Sequence, residues 1–67
     1  MNAGKTIKKI RLKKKLTKYR LAKIADVSES LISRVESGER MMNLNTAFKI
    51  AKALNVSLDE ILEYTPD

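Results

Sequence analysis

Apolar residues recur along this chain with the 3.6-residue period of an α-helix, and no stretch alternates apolar and polar residues as a strand would. Side chains able to cap a helix precede the apolar runs, and Gly38 follows the third run as an expected C′ residue. The pattern predicts helices over about residues 6–14, 17–25 and 28–37, a fourth capped by Asn43 or Asn45, and a fifth opened by the capping box of Ser57 and Glu60. All 67 residues then form one compact all-α domain with five helices and short connections.

The inward positions of these helices should close around one centre. A chain of this length buries only about 60% of its unfolded surface, and it has neither cysteine nor a His/Cys cluster to reinforce the fold. Helix packing alone must therefore stabilise it. The residues expected in the core are Ile10, Leu16, Leu21, Ala22, Val27, Ile32, Val35, Leu44, Ile50, Ala51, Leu54, Val56 and Leu58.

The net charge of +6 is unevenly distributed along the chain. Residues 1–23 carry eight Lys and two Arg without an acid, which gives +10, whereas residues 24–67 carry four basic and eight acidic groups, which gives −4. A basic half beside an acidic half indicates a polyanionic partner on one side of the molecule. A run of lysines by itself is more often only a solvated surface, so this interpretation depends on the motif that follows it.

The composition argues against several other classes of protein. No apolar stretch approaches the roughly 18 residues that span a membrane, and the basic N-terminus leads into amphipathic sequence rather than a signal peptide, so we expect a cytoplasmic protein. With no His or Cys, no phosphate-binding glycine loop and no acid pair beside a nucleophile, the chain is not expected to be an enzyme or to hold a cofactor or metal.

Residues 17–36, TKYRLAKIADVSESLISRVE, indicate two short helices joined by a sharp turn. The second has polar residues on its outward side, and on a basic chain this predicts a helix that lies in the major groove of DNA. The segments LAKIADVSESLISRVESGER, residues 21–40, and KIAKALNVSLDEIL, residues 49–62, resemble the phage-repressor and Cro-type helix-turn-helix domains of the Xre family. The resemblance covers about residues 7–62. It implies a five-helix, lambda-repressor-like fold and a transcriptional regulator, a repressor of bacterial or phage type, that binds a palindromic operator as a homodimer.

The resemblance assigns base reading to the third helix. Arg34 has the clearest chemistry, because its planar fork can donate two hydrogen bonds to guanine O6 and N7, worth about 1–3 kcal/mol of discrimination. Glu29 can accept from cytosine N4 or simply favour the helix N-terminus, and the two roles are about equally weighted. The candidate base-reading residues are Ser28, Glu29, Ser30, Ser33 and Arg34.

Phosphate contacts are expected on either side of these residues. Lys18 stands where the family typically has a phosphate-binding Gln, and Arg40 with the N–H groups near Gly38 is placed to hold the other strand. For each lysine a solvated role is as reasonable, and surface packing explains Tyr19 equally well. The candidate phosphate contacts are Thr17, Lys18, Tyr19, Arg40, Lys9 and Lys13.

Other matched positions imply structural roles. Arg11 and Glu36 match a family pair that links helix 1 to the end of helix 3, and we expect a partly buried, bidentate ion pair, although the guanidinium could also reach a phosphate. Lys15 and Asp26 stand where the family usually has glycine, so both sites are expected to need a positive φ.

Two further surfaces bear on partners. Ile61, Leu62 and Tyr64 either cap the core or form a two-fold helix 5 contact between subunits, and the resemblance favours the dimer. An alternative function is a module that binds a protein partner of toxin or anti-repressor type through Met41, Met42 and Ile24. A membrane-coating peptide is a third reading of basic helix 1, but the capped helices that follow argue against it.

Overall fold

Residues 3–62 are described by a computed structural model, in which they form five α-helices and no strand. The helices are α1 Ala3–Lys13, α2 Lys18–Ala25, α3 Glu29–Ser37, α4 Leu44–Leu54 and α5 Leu58–Leu62. The predicted all-α, five-helix architecture is confirmed. Helix α1 begins three residues earlier than the pattern predicted, because Gly4 is buried in the packed domain and this tertiary contact outweighs its low helix propensity. None of these helices has the length and apolar content needed to cross a bilayer.

Side-chain caps define where four of the helices begin. Thr17, Ser28, Asn43 and Ser57 each accept a hydrogen bond from the backbone N–H three residues later, at 3.0, 3.0, 2.7 and 3.2 Å. Asn43 rather than Asn45 therefore caps α4. Each cap satisfies one N–H that has no partner within its helix, which is worth about 1 kcal/mol.

Four left-handed residues end the helices and turn the chain. Lys15, Asp26, Gly38 and Asn55 have φ values of 59°, 60°, 85° and 59°. The expectation for Lys15 and Asp26 is confirmed. Asn55 was not singled out from the sequence, although an Asn directly after the last apolar residue of a helix is a recognised signal for such a cap.

We expect the substitution Lys15→Gly to raise the free energy of unfolding by about 0.5–1 kcal/mol. A left-handed L-residue costs about 1–2 kcal/mol, and the extra backbone freedom of glycine in the unfolded chain offsets part of that gain. Urea unfolding monitored by circular dichroism would measure it. Lys14→Gly is the matched control, because it removes the same charge from a residue whose φ is not positive and should be destabilising. Equal losses in both variants would contradict the strain at Lys15.

The core lies where all five helices meet. Its completely buried side chains come from every helix and are Ile7, Leu21, Ile32, Ile50, Leu54 and Ile61. Most other residues expected in the core pack fully or partly against this cluster. Leu44 does not: it is 70% exposed, so its assignment to the core was wrong. Ala47, Ile50, Ala51 and Leu54 supply the buried side of α4, and Leu44 lies to one side of that stripe.

Candidate nucleic-acid interface

Helices α2 and α3 pack against each other across a short turn. The left-handed Asp26 ends α2, and Ser28, in an extended conformation, starts α3 two residues later. The inner side of α3 is buried through Ile32, Val35 and Glu36. Because the helical period puts the polar residues on the remaining side, the packing that holds α3 also presents that side outward.

The five candidate base-reading residues lie along the N-terminal and outer part of α3. Glu29, Ser30 and Arg34 are exposed, and Ser33 is half-buried. The Ser28 hydroxyl oxygen already accepts from the Leu31 N–H at 3.0 Å, so its own proton and one remaining lone pair are left for DNA.

Arg34 is the side chain best placed for base recognition. It is exposed on α3, and no hydrogen bond or ion pair with the rest of residues 3–62 engages its guanidinium. All five N–H donors of the fork therefore remain available for a ligand.

Lys18 at the start of α2 reaches α3 directly. Its Nζ donates to the Ser33 Oγ at 3.3 Å, and the Lys18 side chain is half-buried. An ammonium has three donors, so this contact leaves two for a phosphate while holding the charge beside the outer side of α3. The sequence did not predict this hydrogen bond, because it joins residues fifteen positions apart across the crossing of two helices.

The other candidate phosphate contacts are more dispersed. The Thr17 hydroxyl oxygen accepts from the Arg20 N–H to cap α2, which leaves its own proton for a phosphate. The exposed Tyr19 ring has the Lys23 Nζ 5.5 Å from its centroid, a cation–π contact. Lys9 and Lys13 are exposed on the side of α1 opposite to its buried contacts with α3 and α5, so the structure does not group them with the α3 side chains.

Arg40 is exposed in the loop after α3, but the neighbouring backbone is not free for DNA. The N–H groups of Gly38, Glu39 and Arg40 donate to the carbonyls of Val35 and Arg34 at 2.9–3.2 Å. The expectation that these N–H groups hold a strand was therefore wrong, because they close the C-terminus of α3. Only the Arg40 side chain remains for that role.

The predicted ion pair between Arg11 and Glu36 is present. The Arg11 Nε and Nη2 donate to the two carboxylate oxygens of Glu36 at 2.7 and 3.0 Å, and Nη1 donates to the Leu16 carbonyl at 2.7 Å. Both side chains are buried, and the hydrogen bond with Glu36 raises the pKa of Arg11 above its ordinary value despite that burial. A phosphate contact by Arg11 is excluded in this arrangement. The pair instead ties α1 and the following loop to the end of α3.

The residues considered for protein contacts have different surroundings. Ile61 is completely buried, which agrees with a role in capping the core and leaves it no surface for a contact between subunits. Leu62 is half-buried. Tyr64 lies outside the described residues. Met41 and Ile24 are exposed, at 90% and 51%, whereas Met42 packs against the core.

Neither a metal site nor an unpaired buried polar side chain is found among residues 3–62. No three His, Cys, Asp or Glu residues there are grouped as metal ligands would be, and every buried side-chain nitrogen or oxygen has a hydrogen-bond partner.

Known proteins share this arrangement over most of the chain. Residues 7–61 match the helix-turn-helix family. Control protein C.BamHI of Bacillus amyloliquefaciens is 35% identical over an alignment of 63 residues that covers 92% of this chain and 78% of that protein.

Two solved structures are also similar. The restriction-modification controller protein C.AhdI from Aeromonas hydrophila has a TM-score of 0.87 and 28% identity, covering 90% of this chain and 91% of that one. A single-substitution mutant of the restriction-modification controller protein C.Esp1396I has a TM-score of 0.81 and 30% identity, covering 96% and 94% of the two chains.

The family match, the relative and the α2–α3 geometry agree with one another. Members of this family are transcriptional regulators rather than enzymes. This chain therefore belongs to the helix-turn-helix family of sequence-specific transcriptional regulators that bind double-stranded DNA.

Proposed function

We propose that this chain represses transcription by binding a palindromic operator as a homodimer, with α3 of each copy in a major groove. The observation that carries the proposal is the free guanidinium of Arg34 on the outer side of a helix whose inner side is locked into the core. The two similar solved structures are of restriction-modification controller proteins, and C.BamHI is named a control protein. We infer that the operator of this chain lies in a promoter of a restriction–modification system. The protein would then act in the bacterial cytoplasm, bound to DNA at the nucleoid.

Base reading is assigned to the exposed part of α3. Arg34 donates its two parallel N–H groups to guanine O6 and N7, and Glu29 accepts from cytosine N4 when the groove brings that edge within reach. Ser28, Ser30 and Ser33 donate or accept with little selectivity. Sequence preference therefore depends mainly on Arg34.

Phosphate contacts set the position of α3 in the groove. Lys18, with Thr17 and Tyr19, holds one strand at the N-terminus of α2, where backbone N–H groups also favour an anion. Arg40 holds the other strand, and Lys9 and Lys13 supply flanking charge. Two such units, related by a two-fold axis near α5, would read half-sites about one helical turn apart.

Selection of bound duplexes from a random pool, followed by titration of the enriched sites at two salt concentrations, tests the proposal. An enriched palindrome with half-sites about 10 base pairs apart supports a dimeric operator-binding regulator. Salt-sensitive binding without enrichment would overturn it and leave a nonspecific DNA-coating protein. A partner of toxin or anti-repressor type, bound through the exposed Met41 and Ile24, would then be the next candidate, and Arg34→Ala should leave such a complex intact.

Lys18→Ala should weaken binding to all DNA sequences about equally. Loss of one phosphate contact is expected to reduce the slope of log K against log salt by about 0.9, without changing which site is preferred. The measurement is a salt titration on operator and random DNA. Lys23→Ala is the matched control, because it removes the same charge from the same helix at a side chain that contacts the Tyr19 ring. Loss of affinity for the operator alone would contradict the phosphate role.

A further inference from the structure

A cavity of about 390 Å³ lies at the C-terminal end of α3. It is bounded by the first turn of α1, the last residues of α3, the loop that follows α3 and the end of α5. We call it the α3-end cavity. Its volume is at the lower end of the range of about 300–1,000 Å³ that is typical of small-molecule sites. The side chains that line it belong to Ala3, Val35, Arg40, Met41, Met42 and Leu62.

Arg40 is the only ionisable side chain among the described residues that line this cavity, and the other side chains there are apolar. Within residues 3–62 its guanidinium forms no ion pair. The neighbouring Glu39 carboxylate instead accepts from the Ser37 hydroxyl at 3.4 Å. A free guanidinium beside an apolar cavity is complementary to a ligand with an anionic head and an apolar body, because the guanidinium can donate two parallel hydrogen bonds to a carboxylate.

The head of the ligand is expected to carry a single negative charge. The N–H groups of Gly38, Glu39 and Arg40 close the end of α3, so they are not available to bind an anion. One guanidinium matches the charge of a monocarboxylate. A phosphate monoester, with a charge of about −1.5 to −2, would remain partly unpaired.

The two methionines allow the cavity to accept apolar bodies of different shape. Met41 is 90% exposed in the loop, whereas Met42 packs against the core. Both side chains are unbranched and have several rotatable bonds, so they adapt to irregular surfaces. The lining therefore predicts a class of ligand, small aliphatic or aromatic carboxylates, rather than one compound.

Arg40 connects the α3-end cavity to DNA. The proposed function assigns the Arg40 guanidinium to a phosphate, and one guanidinium cannot hold a phosphate and a ligand carboxylate in the same bidentate geometry. A carboxylate bound in the cavity would therefore remove that phosphate contact. By linkage, DNA would lower the affinity for the carboxylate by the same factor.

We propose that the α3-end cavity binds a small apolar monocarboxylate through Arg40, and that this ligand lowers the affinity of the chain for DNA. The effect on DNA rests on the phosphate contact of the proposed function, whereas binding in the cavity does not. An acid of this kind would release the operator as its concentration rises.

Binding is tested first without DNA, by ¹H–¹⁵N NMR titration of the full chain with octanoate. Saturable shifts are expected at the amides of Gly4, Gly38 and Met42, with a dissociation constant of about 1 mM or below. Octanol and octylammonium have the same apolar body and should bind at least about tenfold more weakly, because they lack the charge-assisted hydrogen bonds. Equal affinities for octanoate and octanol, or no saturable shifts at all, would overturn the proposal.

Arg40→Ala should abolish the binding of octanoate. Arg40 is exposed, so the variant should keep the melting temperature of the parent. Arg34→Ala is the matched control, because it removes an exposed arginine that does not line the cavity, and it should bind octanoate as the parent does. Unchanged binding of octanoate by Arg40→Ala would overturn the proposal.

Ala3→Leu tests the cavity without altering any residue assigned to DNA. The larger side chain should occupy part of the cavity and weaken the binding of octanoate, while the affinity for DNA in the absence of octanoate stays the same. Ala53→Leu on α4, at a half-buried position outside the cavity, is the control and should leave octanoate binding unchanged. Equal octanoate affinity in the parent and Ala3→Leu would overturn the location of the site.

The effect on DNA is measured with operator and random duplexes at one fixed ionic strength. Saturating octanoate should lower the affinity of the parent for both at least about fivefold, because the contact that is lost is to a phosphate. The affinity of Arg40→Ala should not respond to octanoate. An unchanged DNA affinity of the parent with octanoate bound would overturn the effect on DNA.

The outcomes also separate this inference from the proposed function. A chain that binds octanoate through Arg40 but selects no palindrome would overturn the operator and leave the α3-end cavity standing. A chain that selects a palindrome but binds no carboxylate would overturn the cavity site and leave the proposed function standing.

Discussion

Arg11→Ala is expected to lower the free energy of unfolding by about 3–5 kcal/mol, because the Glu36 carboxylate is then left buried without its partner. A domain of this length has a total stability of only about 3–10 kcal/mol at 0.05–0.15 kcal/mol per residue. The variant should therefore lose about a third or more of its total stability. Urea unfolding followed by circular dichroism measures the change directly.

The double substitution Arg11→Met with Glu36→Leu distinguishes a stranded charge from a lost contact. Replacing both partners by apolar side chains removes the desolvation cost along with the attraction, so the double variant should recover most of the lost stability. Lys13→Ala, at an exposed position on the same helix, should change stability by no more than about 0.5 kcal/mol. A double variant as unstable as Arg11→Ala would show that the geometry of the pair is itself required.

The ionisation of Arg11 does not limit this effect near neutral pH. Hydrogen bonding to Glu36 raises the pKa of Arg11 above its ordinary value. The stabilisation linked to that shift is present in full below the ordinary pKa and is lost only as the pH rises through the raised one. The difference in the free energy of unfolding between the parent and Arg11→Ala should accordingly be the same at pH 7 and at pH 9.

Arg34→Ala should relax base preference at one position in each operator half-site. Loss of a bidentate contact removes about 1–3 kcal/mol of discrimination, or roughly a 5- to 150-fold preference for one base pair. Because Arg34 has no partner within residues 3–62, its removal should leave the stability of the fold almost unchanged. Competition binding with operators that differ at single base pairs, at one fixed salt concentration, measures the change.

Arg40→Ala is the matched control for Arg34→Ala. Both remove one exposed arginine, but Arg40 lies in the loop after α3 and is assigned to a phosphate, so its loss should lower affinity for operator and random DNA alike. Equal losses on specific and random DNA for Arg34→Ala would contradict its reading role. They would leave sequence preference to Glu29 and to the deformability of the DNA.

The helices and most of their ends were predictable because the interactions that define them are local; the start of α1 and the Asn55 cap were the exceptions. Thr17, Ser28 and Asn43 each accept from a backbone N–H three residues away, and this contact depends on the residues of one turn only. The positive φ at Lys15 and Asp26 was inferred from family members with glycine there, and not from a preference of Lys or Asp. The residues of the outer side of α3 followed from the helical period.

Which side of α4 faces the core was not predictable in the same way. Apolar residues cover more than half of its circumference, so the periodic pattern fits a core formed by Leu44 as well as one formed by Ala47 and Ile50. Only packing on α2 and α5 selects the second arrangement. Small residues such as Ala47 and Ala51 let the helices approach closely, and Leu44 and Phe48 are left exposed.

The sequence by itself determined five helices, the capping side chains that begin four of them, the helix-turn-helix and the polar outer side of α3, because each depends on contacts within a turn or on a short motif. The tertiary structure alone decided three further features: the hydrogen bond from Lys18 to Ser33, the hydrogen bond from Arg11 to the Leu16 carbonyl, and the exposure of Leu44 and Phe48. None of the three is fixed by the local sequence pattern alone. Their positions depend on the angles at which helices cross, which are set by the combined packing of all five.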